Sequence, residues 1–415
     1  RDAPMNTQEA ADTEYSVWVL VADPPYVADH QPVIVRYPDM AVDRTTLQFL
    51  RERYITSGKR PSHHTWRQCA DALAGWLTFC THMDIDFQHA CTEDLIAYRD
   101  AYLNAISPQG KHYNPKTIAT RIGYIQEFYG YLTEHDLYDG DIRVDGGPKR
   151  STRSLDRTPT AHLRRGDAAV KSAPDIKPKA RKQEPIRPLG RDEIRSLVDA
   201  ANWSLAPQRN RAIINLGWVC GLRREEVQGL KTIQFQSITT DPDAPAVQHE
   251  IVVEGKGHVV RKVPVPAWLV DEINSYIDNE RTVAIKKSGI RHPSSLLFLG
   301  KNRSKTAGRP LSLSGINHVM ETLCNNSGLV EVVERLYAEC GKTYKLSRPK
   351  YSFHDLRHTY AVVTYHLEKQ NGNSEPWKKV QSVLGHNSRN TTIDIYLNHV
   401  NAFEPGPSVD YRGII

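Results

Sequence analysis

Between Gly140 and Pro188 the chain loses the regular spacing of apolar residues that runs on either side, and this break governs how the rest can fold. The stretch contains Gly146–Gly147–Pro148 and further prolines up to Pro188. Between Lys149 and Lys182 it carries Lys149, Arg150, Arg153, Arg157, Arg164, Arg165, Lys171, Lys177, Lys179, Arg181 and Lys182, against only Asp156, Asp167 and Asp175. Proline and glycine at this density oppose helix and strand alike, so 140–188 reads as a linker between separately folded parts. Its cations allow two uses. One is a plain solvated spacer; the other is a strap along a phosphate backbone, with Lys149, Arg150, Arg164, Arg165, Lys179, Arg181 and Lys182 as candidate contacts.

Upstream, residues 1–42 are Pro-rich and partly β-like ("EYSVWVLVADPPYV", "PVIVRYP") and read as an N-terminal extension. From 43 to 139 the period becomes helical. Ser62 is placed as an N-cap ahead of Trp66, Ala70, Leu73 and Leu77, and Ile118, Ile122, Ile125, Phe128 and Leu132 follow at helical spacing. An all-helical domain of about four helices is expected here.

Downstream, 189–400 begins with helical segments, "GRDEIRSLVDAA" and "RNRAIINLGWVCGLRREEVQGL". A hairpin follows, "HEIVVEGKGHVVRKVPVP", whose β-branched arms flank Gly255–Lys256–Gly257 and place Lys256 on an exposed turn. Helices interrupted by loops complete the domain, and 401–415 is a Pro/Gly-containing tail. The fold class is therefore mainly α with a small antiparallel sheet, as an all-helical domain joined to a mixed α+β domain.

The bulk properties exclude several alternatives. The longest apolar stretch lies near "VWVLVA", far short of the ~20 residues of a membrane span. The six cysteines at 69, 80, 91, 220, 324 and 340 form no close pair, which suits a reducing compartment better than a disulfide framework. The net charge of +6 is compatible with a polyanionic partner. A cytoplasmic, nucleoid-associated protein with no membrane partner is expected.

The chemistry is concentrated near "YSFHDLRHTYAVVTYHL", residues 351–367. On a helical wheel His354, Arg357, His358 and Ala361 share one face, while Leu356, Tyr360, Val363 and Leu367 form the opposite apolar stripe. The polar trio is thus expected to face away from the core, and Tyr360 to pack. His354 and His358 have the i, i+4 spacing of metal ligands, but Asp355 stands where the usual metalloprotease pattern has Glu, and no third ligand follows at a suitable spacing. Arg357 also has no place in a cation site.

The other segments favour a phosphate. "CGLRREEVQGL" puts Arg223 after a glycine turn, with Glu226 three residues on and able to brace its guanidinium. Lys256 stands on the hairpin, and "VQSVLGHNSRNTTIDIYLNHV" puts His386 just past one helix and Tyr396 within the next. Taken in order, "GLRREEVQGL", "EGKGHVVRKVPV", "HDLRHT", "LGH" and "TTIDIY" resemble the catalytic-domain motifs of the tyrosine recombinase (phage integrase) family over about residues 186–400. The helical domain is similar in character to that family's core-binding, DNA-binding domain.

The resemblance implies that Tyr396 is the nucleophile of a metal-independent DNA transesterification that needs no cofactor. Arg223 and Arg357 would clamp the scissile phosphate, Lys256 would protonate the departing 5′ oxygen, and His354 and His386 would hydrogen-bond the phosphate and assist proton transfer. Glu226 would orient Arg223. The implied partners are double-stranded DNA and further copies of the chain, a dimer per site and a tetramer on synapsed sites, with accessory proteins. The role would be integration, excision or transposition of a mobile element. The rivals are a strand-relaxing topoisomerase, a chromosome-dimer resolvase, a metal hydrolase using His354 and His358, and an accessory DNA-binding protein. The stretches around 328–351 and 369–376 look like insertions relative to the family.

Overall fold

A computed structural model describes residues 14–20, 30–57, 62–142, 176–179, 186–255, 259–302 and 304–384. They fall into two compact units. One is drawn from the chain up to Lys182 together with Arg335–Tyr344, the other from the remainder.

Four helices dominate the first unit: α1 (Arg44–Arg51), α2 (His63–His82), α3 (Thr92–Asn104) and α4 (Pro115–Glu134). Their starts are fixed locally. Asp43 accepts from the Thr46 N–H at 2.7 Å, Ser62 from Thr65 at 3.3 Å and Asn114 from Lys116 at 2.9 Å, each satisfying an orphan donor of the first turn. Trp66, Leu73, Trp76 and Leu77 of α2 pack in one core with Ile118, Ile122, Ile125, Phe128 and Leu132 of α4. Within it the Trp76 indole donates to the Tyr129 hydroxyl at 2.9 Å, and that hydroxyl donates to the Phe87 carbonyl at 2.9 Å. Two buried polar groups are thereby satisfied by one chain of bonds.

The unit is not made of helices alone. Strands β1 (Tyr15–Leu20), β2 (Gln31–Arg36) and β3 (Ala41–Val42) form an antiparallel sheet in that order, with Val17 opposite Ile34. The continuous run Val33–Ile34–Val35 is buried, and the Tyr15 N–H donates to Thr78 Oγ1 on α2 at 3.0 Å. The segment expected as an extension therefore belongs to this unit's core: three successive apolar residues have no polar alternate to turn to water. The linker is also anchored at its ends. Ile142 and Ile176 join the same core, and the Ile176 carbonyl accepts from Arg99 at 3.4 Å.

The second unit runs α5 (Arg191–Asn202), α6 (Pro207–Trp218), α7 (Arg224–Gly229), α8 (Ile233–Gln236), β4 (Gln248–Glu254), β5 (Val260–Pro266), α9 (Ala267–Tyr276), α10 (Thr282–Ser288), α11 (Leu313–Asn326), β6 (Val330–Leu336), β7 (Thr343–Pro349), α12 (Phe353–Gln370) and α13 (Pro376–Leu384). Its core joins Ile194 and Leu197, Ile213 and Leu216, Leu269 and Ile273, Ile316 and Leu323, and Phe353 and Leu356. In the antiparallel pair β4–β5, Ile251 lies opposite Val263 and Val253 opposite Arg261. Strands β6 and β7 occupy the inserted stretch 328–351. Their tip groups with the first unit, where the Leu336 N–H donates to the Gly110 carbonyl at 2.8 Å. Among the described residues no helix is long and apolar enough to cross a membrane.

Candidate active site

The turn Cys220–Leu222 between α6 and α7 delivers Arg223. Gly221 has φ +63°, and a β-carbon there would lie 2.9 Å from Cε1 and Cγ of Tyr360 and closer still to Cδ1. Backbone conformation and close approach both require glycine. Arg223 then occupies the N-cap of α7, with Glu226 at the third helical position. One carboxylate oxygen of Glu226 accepts from the Arg223 N–H at 2.7 Å, and the other from Arg223 Nη1 at 3.0 Å. Helix capping and the aim of the guanidinium are thus the same interaction. The brace expected from the spacing is present.

The Glu226 carboxylate has a second cation, which sequence reading passed over. Arg261 Nη2 donates to it at 2.9 Å, and Arg261 Nη1 is also bonded to it. The Glu226 side chain is 1% exposed, Arg261 11% and Arg223 27%. Burial opposes ionisation of Glu226, but the Arg261 bonds, the Arg223 N–H and the charges of Arg261 and Arg357 together hold its carboxyl below the usual range. The signal for Arg261 was available in the strand alternation. Residues 261, 263 and 265 of β5 share one face, and Val263 and Val265 are fully buried, so Arg261 is an inward-facing charge that needs a partner.

Helix α12 opens with Ser352, whose N–H and hydroxyl both donate to Asp355, at 2.7 and 2.8 Å. The Asp355 carboxylate thus serves as a cap, which leaves the zinc-type reading of His354–Asp355–His358 without its acid. The wheel expectation for Arg357 is corrected. Arg357 is 2% exposed, not turned to water, because α12 is covered on more than one side, by α6 and by α13. Its guanidinium donates to the Gly221 carbonyl through Nη1 and to the Leu384 carbonyl at 2.5 Å through Nη2. His354 does remain at the surface, its ring 4.6 Å from that of His358. Desolvation by the surrounding protein, then the charge of Arg357 and to a lesser degree Arg223, press its pKa below the ordinary histidine value despite Asp355.

Tyr360 packs as expected. It is buried, and desolvation pushes its phenol up to about 12. Leu367 departs from the expected apolar stripe: it lies past the covered part of α12 and is exposed. In the first half of the helix the Thr359 hydroxyl accepts from the Leu189 N–H at 2.8 Å, which fastens the start of the second unit beside Arg357.

Arg223, Glu226, His354 and Arg357 are therefore brought together, directly or through the Gly221 turn. Lys256, His386 and Tyr396 lie outside the described residues, as do Lys149, Arg150, Arg164, Arg165, Arg181 and Lys182. Lys179 is described and exposed.

A sequence profile of the phage integrase family matches residues 187–402. Among curated proteins, a tyrosine recombinase XerC of Halalkalibacterium halodurans is 30% identical over 206 residues, spanning 49% of this chain and 55% of that protein. A second tyrosine recombinase XerC, from Bacillus licheniformis, is 24% identical over 301 residues, spanning 68% of this chain and 86% of that protein. Among solved structures, the XerH site-specific recombinase bound to palindromic difH substrate aligns with a TM-score of 0.52 at 15% identity, over 88% of this chain and 84% of that one. That likeness is one of fold.

Proposed function

The chain belongs to the phage integrase family, the tyrosine recombinases, and from that premise we propose that it is a site-specific recombinase that cuts and rejoins duplex DNA through a 3′-phosphotyrosyl intermediate. One observation carries the reading. The buried Arg357 guanidinium joins the carbonyl of Gly221, two residues before Arg223, to that of Leu384, two residues before His386. A single side chain links three of the segments that this chemistry has to assemble.

A phosphodiester repels an anionic nucleophile, and its transition state gathers charge on the two non-bridging oxygens. Guanidiniums supply paired donors of matching geometry, so Arg223 and Arg357 carry the charge stabilisation in this reading. Arg223, partly exposed and braced by Glu226, is the one presented in the described structure. Tyr396 attacks phosphorus, and its phenolic proton passes to the histidines; His354, held below its ordinary pKa, has the neutral form to take it. The bond from phosphorus to O5′ breaks as Lys256 gives that oxygen a proton. The phosphotyrosyl ester keeps the energy of the broken bond, and a 5′ hydroxyl attacking it restores the backbone with all atoms and charges accounted for.

Double-stranded DNA is the substrate, bound by a dimer per site and exchanged within a tetramer, with the cations of the 140–188 stretch, Lys179 among them, along its phosphates. Movement of a mobile element is the preferred biological role. Resolution of chromosome dimers is the second role that this chemistry admits.

The test is covalent capture. Wild type and Tyr396→Phe are incubated with nicked fragments of the source genome in EDTA, denatured, and examined for protein-linked DNA. Linkage with wild type alone is expected, and sequencing the linked fragment gives the site. DNA binding without any linkage would sink the reading.

A further inference from the structure

Resting on that reading, we propose that His358 is a positioning residue, whose ring stands edge to face against that of His354 and fixes the orientation in which His354 accepts a proton. The two residues are one turn apart on α12, with ring centroids 4.6 Å apart and ring planes at 84°. The quadrupoles of aromatic rings favour this arrangement, the positive edge of one against the negative face of the other.

A histidine that works as a base is ordinarily aimed by a hydrogen bond from its second nitrogen to a carboxylate or a carbonyl. Asp355 is the carboxylate next to it in sequence, but the Ser352 N–H and hydroxyl occupy it. Among the described residues no hydrogen bond is made by the His354 ring, so its aim there rests on the contact with His358. An imidazole at the surface without such a hold turns about its side-chain torsions, and most of its orientations carry the accepting nitrogen out of line with the proton.

The surroundings of His358 allow the ring to be tested apart from the helix that carries it. Leu356, Arg357 and Thr359 are buried, so the backbone under both rings is held from elsewhere. His358 itself is half-buried and borders a cavity of about 570 Å³, together with Met320 and Glu321 of α11 and with Lys350. A smaller side chain at 358 widens an existing space and does not open a packed core.

The experiment uses the full chain. Histidine-selective NMR follows the carbon-bound ring protons of His354 in wild type, His358→Phe, which keeps a ring, and His358→Leu, which supplies bulk without one. The His354 signals are expected to move clearly in His358→Leu and little in His358→Phe. Single-turnover adduct formation is then compared on a nicked duplex of the sequence recovered by covalent capture, adding His354→Ala and the His354→Ala/His358→Leu pair. DNA affinity and thermal unfolding are measured alongside. His358→Leu is expected to slow the adduct by on the order of 10-fold at unchanged affinity, and His358→Phe to come within about threefold of wild type. His354→Ala alone is expected to cost on the order of 100-fold or more, and His358→Leu to cost nothing further in its presence.

A packing role alone would still slow the reaction when His354 is absent, so a further loss in the double variant overturns the positioning role. His354 signals indifferent to the loss of the ring overturn it as well, before any DNA is added. If His358→Leu does not fold, His358→Ala takes its place under the same expectations. A wild type that forms no adduct overturns the recombinase reading itself, whereas a wild-type adduct formed equally fast with Leu at 358 overturns only the positioning role.

Discussion

The ring of Tyr360 lies so close to Gly221 that a β-carbon there would stand within 2.9 Å of Cγ and Cε1, which leaves no room for one. Gly221 is also in the left-handed region, at φ +63°. Gly221→Ala therefore meets two separate costs. An L-residue in that conformation costs about 1–2 kcal/mol, and overpacking against a buried ring adds roughly 1–3 kcal/mol. Urea unfolding should show the sum, and adding Tyr360→Leu should recover the packing part only. Full recovery would mean that the left-handed backbone is not needed.

Tyr360 has a second reading that can be removed. It is a tyrosine three residues past Arg357, but it is buried against Gly221, and burial raises its phenol to about 12, which opposes ionisation further. Tyr360→Phe should keep adduct formation within a few-fold of wild type, in contrast to Tyr396→Phe. Gel analysis of denatured reactions decides between them; an adduct lost in Tyr360→Phe would move the nucleophile.

Glu226 makes acid stability measurable. Its carboxyl is held below its ordinary value of 4.5 in the folded protein, so the unfolded state binds its proton more readily. The contribution of the carboxylate is fully present above about 4.5 and is lost as pH falls from there through the lowered folded value. Glu226→Gln should therefore unfold at a lower temperature than wild type near neutrality, with the gap narrowing as pH drops below 4.5. A gap that stays constant down to acid would remove ionised Glu226 from the account.

What sequence could and could not reveal divides along physical lines. The helical stripes of α2 and α4, the β4–β5 hairpin and the brace from Glu226 to Arg223 depend on spacing within one element, so they were legible. The sheet β1–β3 was harder, because short apolar runs near prolines, such as Val33–Val35, fit an extension as well as a buried strand. Burial of Arg357 was not legible at all: a wheel drawn for one helix has no knowledge that α6 and α13 cover its other sides. Ile176 shows the same limit. One isoleucine among prolines and lysines gives no period, yet it closes a core built from residues far upstream, and Ile176→Ala should destabilise the first unit by about 2 kcal/mol in a denaturant titration.

Arg357 combines support and chemistry, and the two can be separated by substitution. Arg357→Ala leaves the Gly221 and Leu384 carbonyls without the guanidinium they share, at about 1–3 kcal/mol for each buried group left unsatisfied. It also removes a cation from the phosphate site, for which a lost donor costs ~3 kcal/mol or more in the barrier. Arg357→Lys keeps a positive charge, but one ammonium lacks the planar fork that reaches two carbonyls from two nitrogens. Arg357→Ala should therefore lose both thermal stability and adduct formation, while Arg357→Lys should lose stability by a similar amount yet retain more of the adduct rate than Ala. Paired melting and single-turnover measurements check this. Equal stability of wild type and Arg357→Lys would show that the carbonyl contacts contribute little, and equal rates for Lys and Ala would show that the fork, not the charge, serves the phosphate.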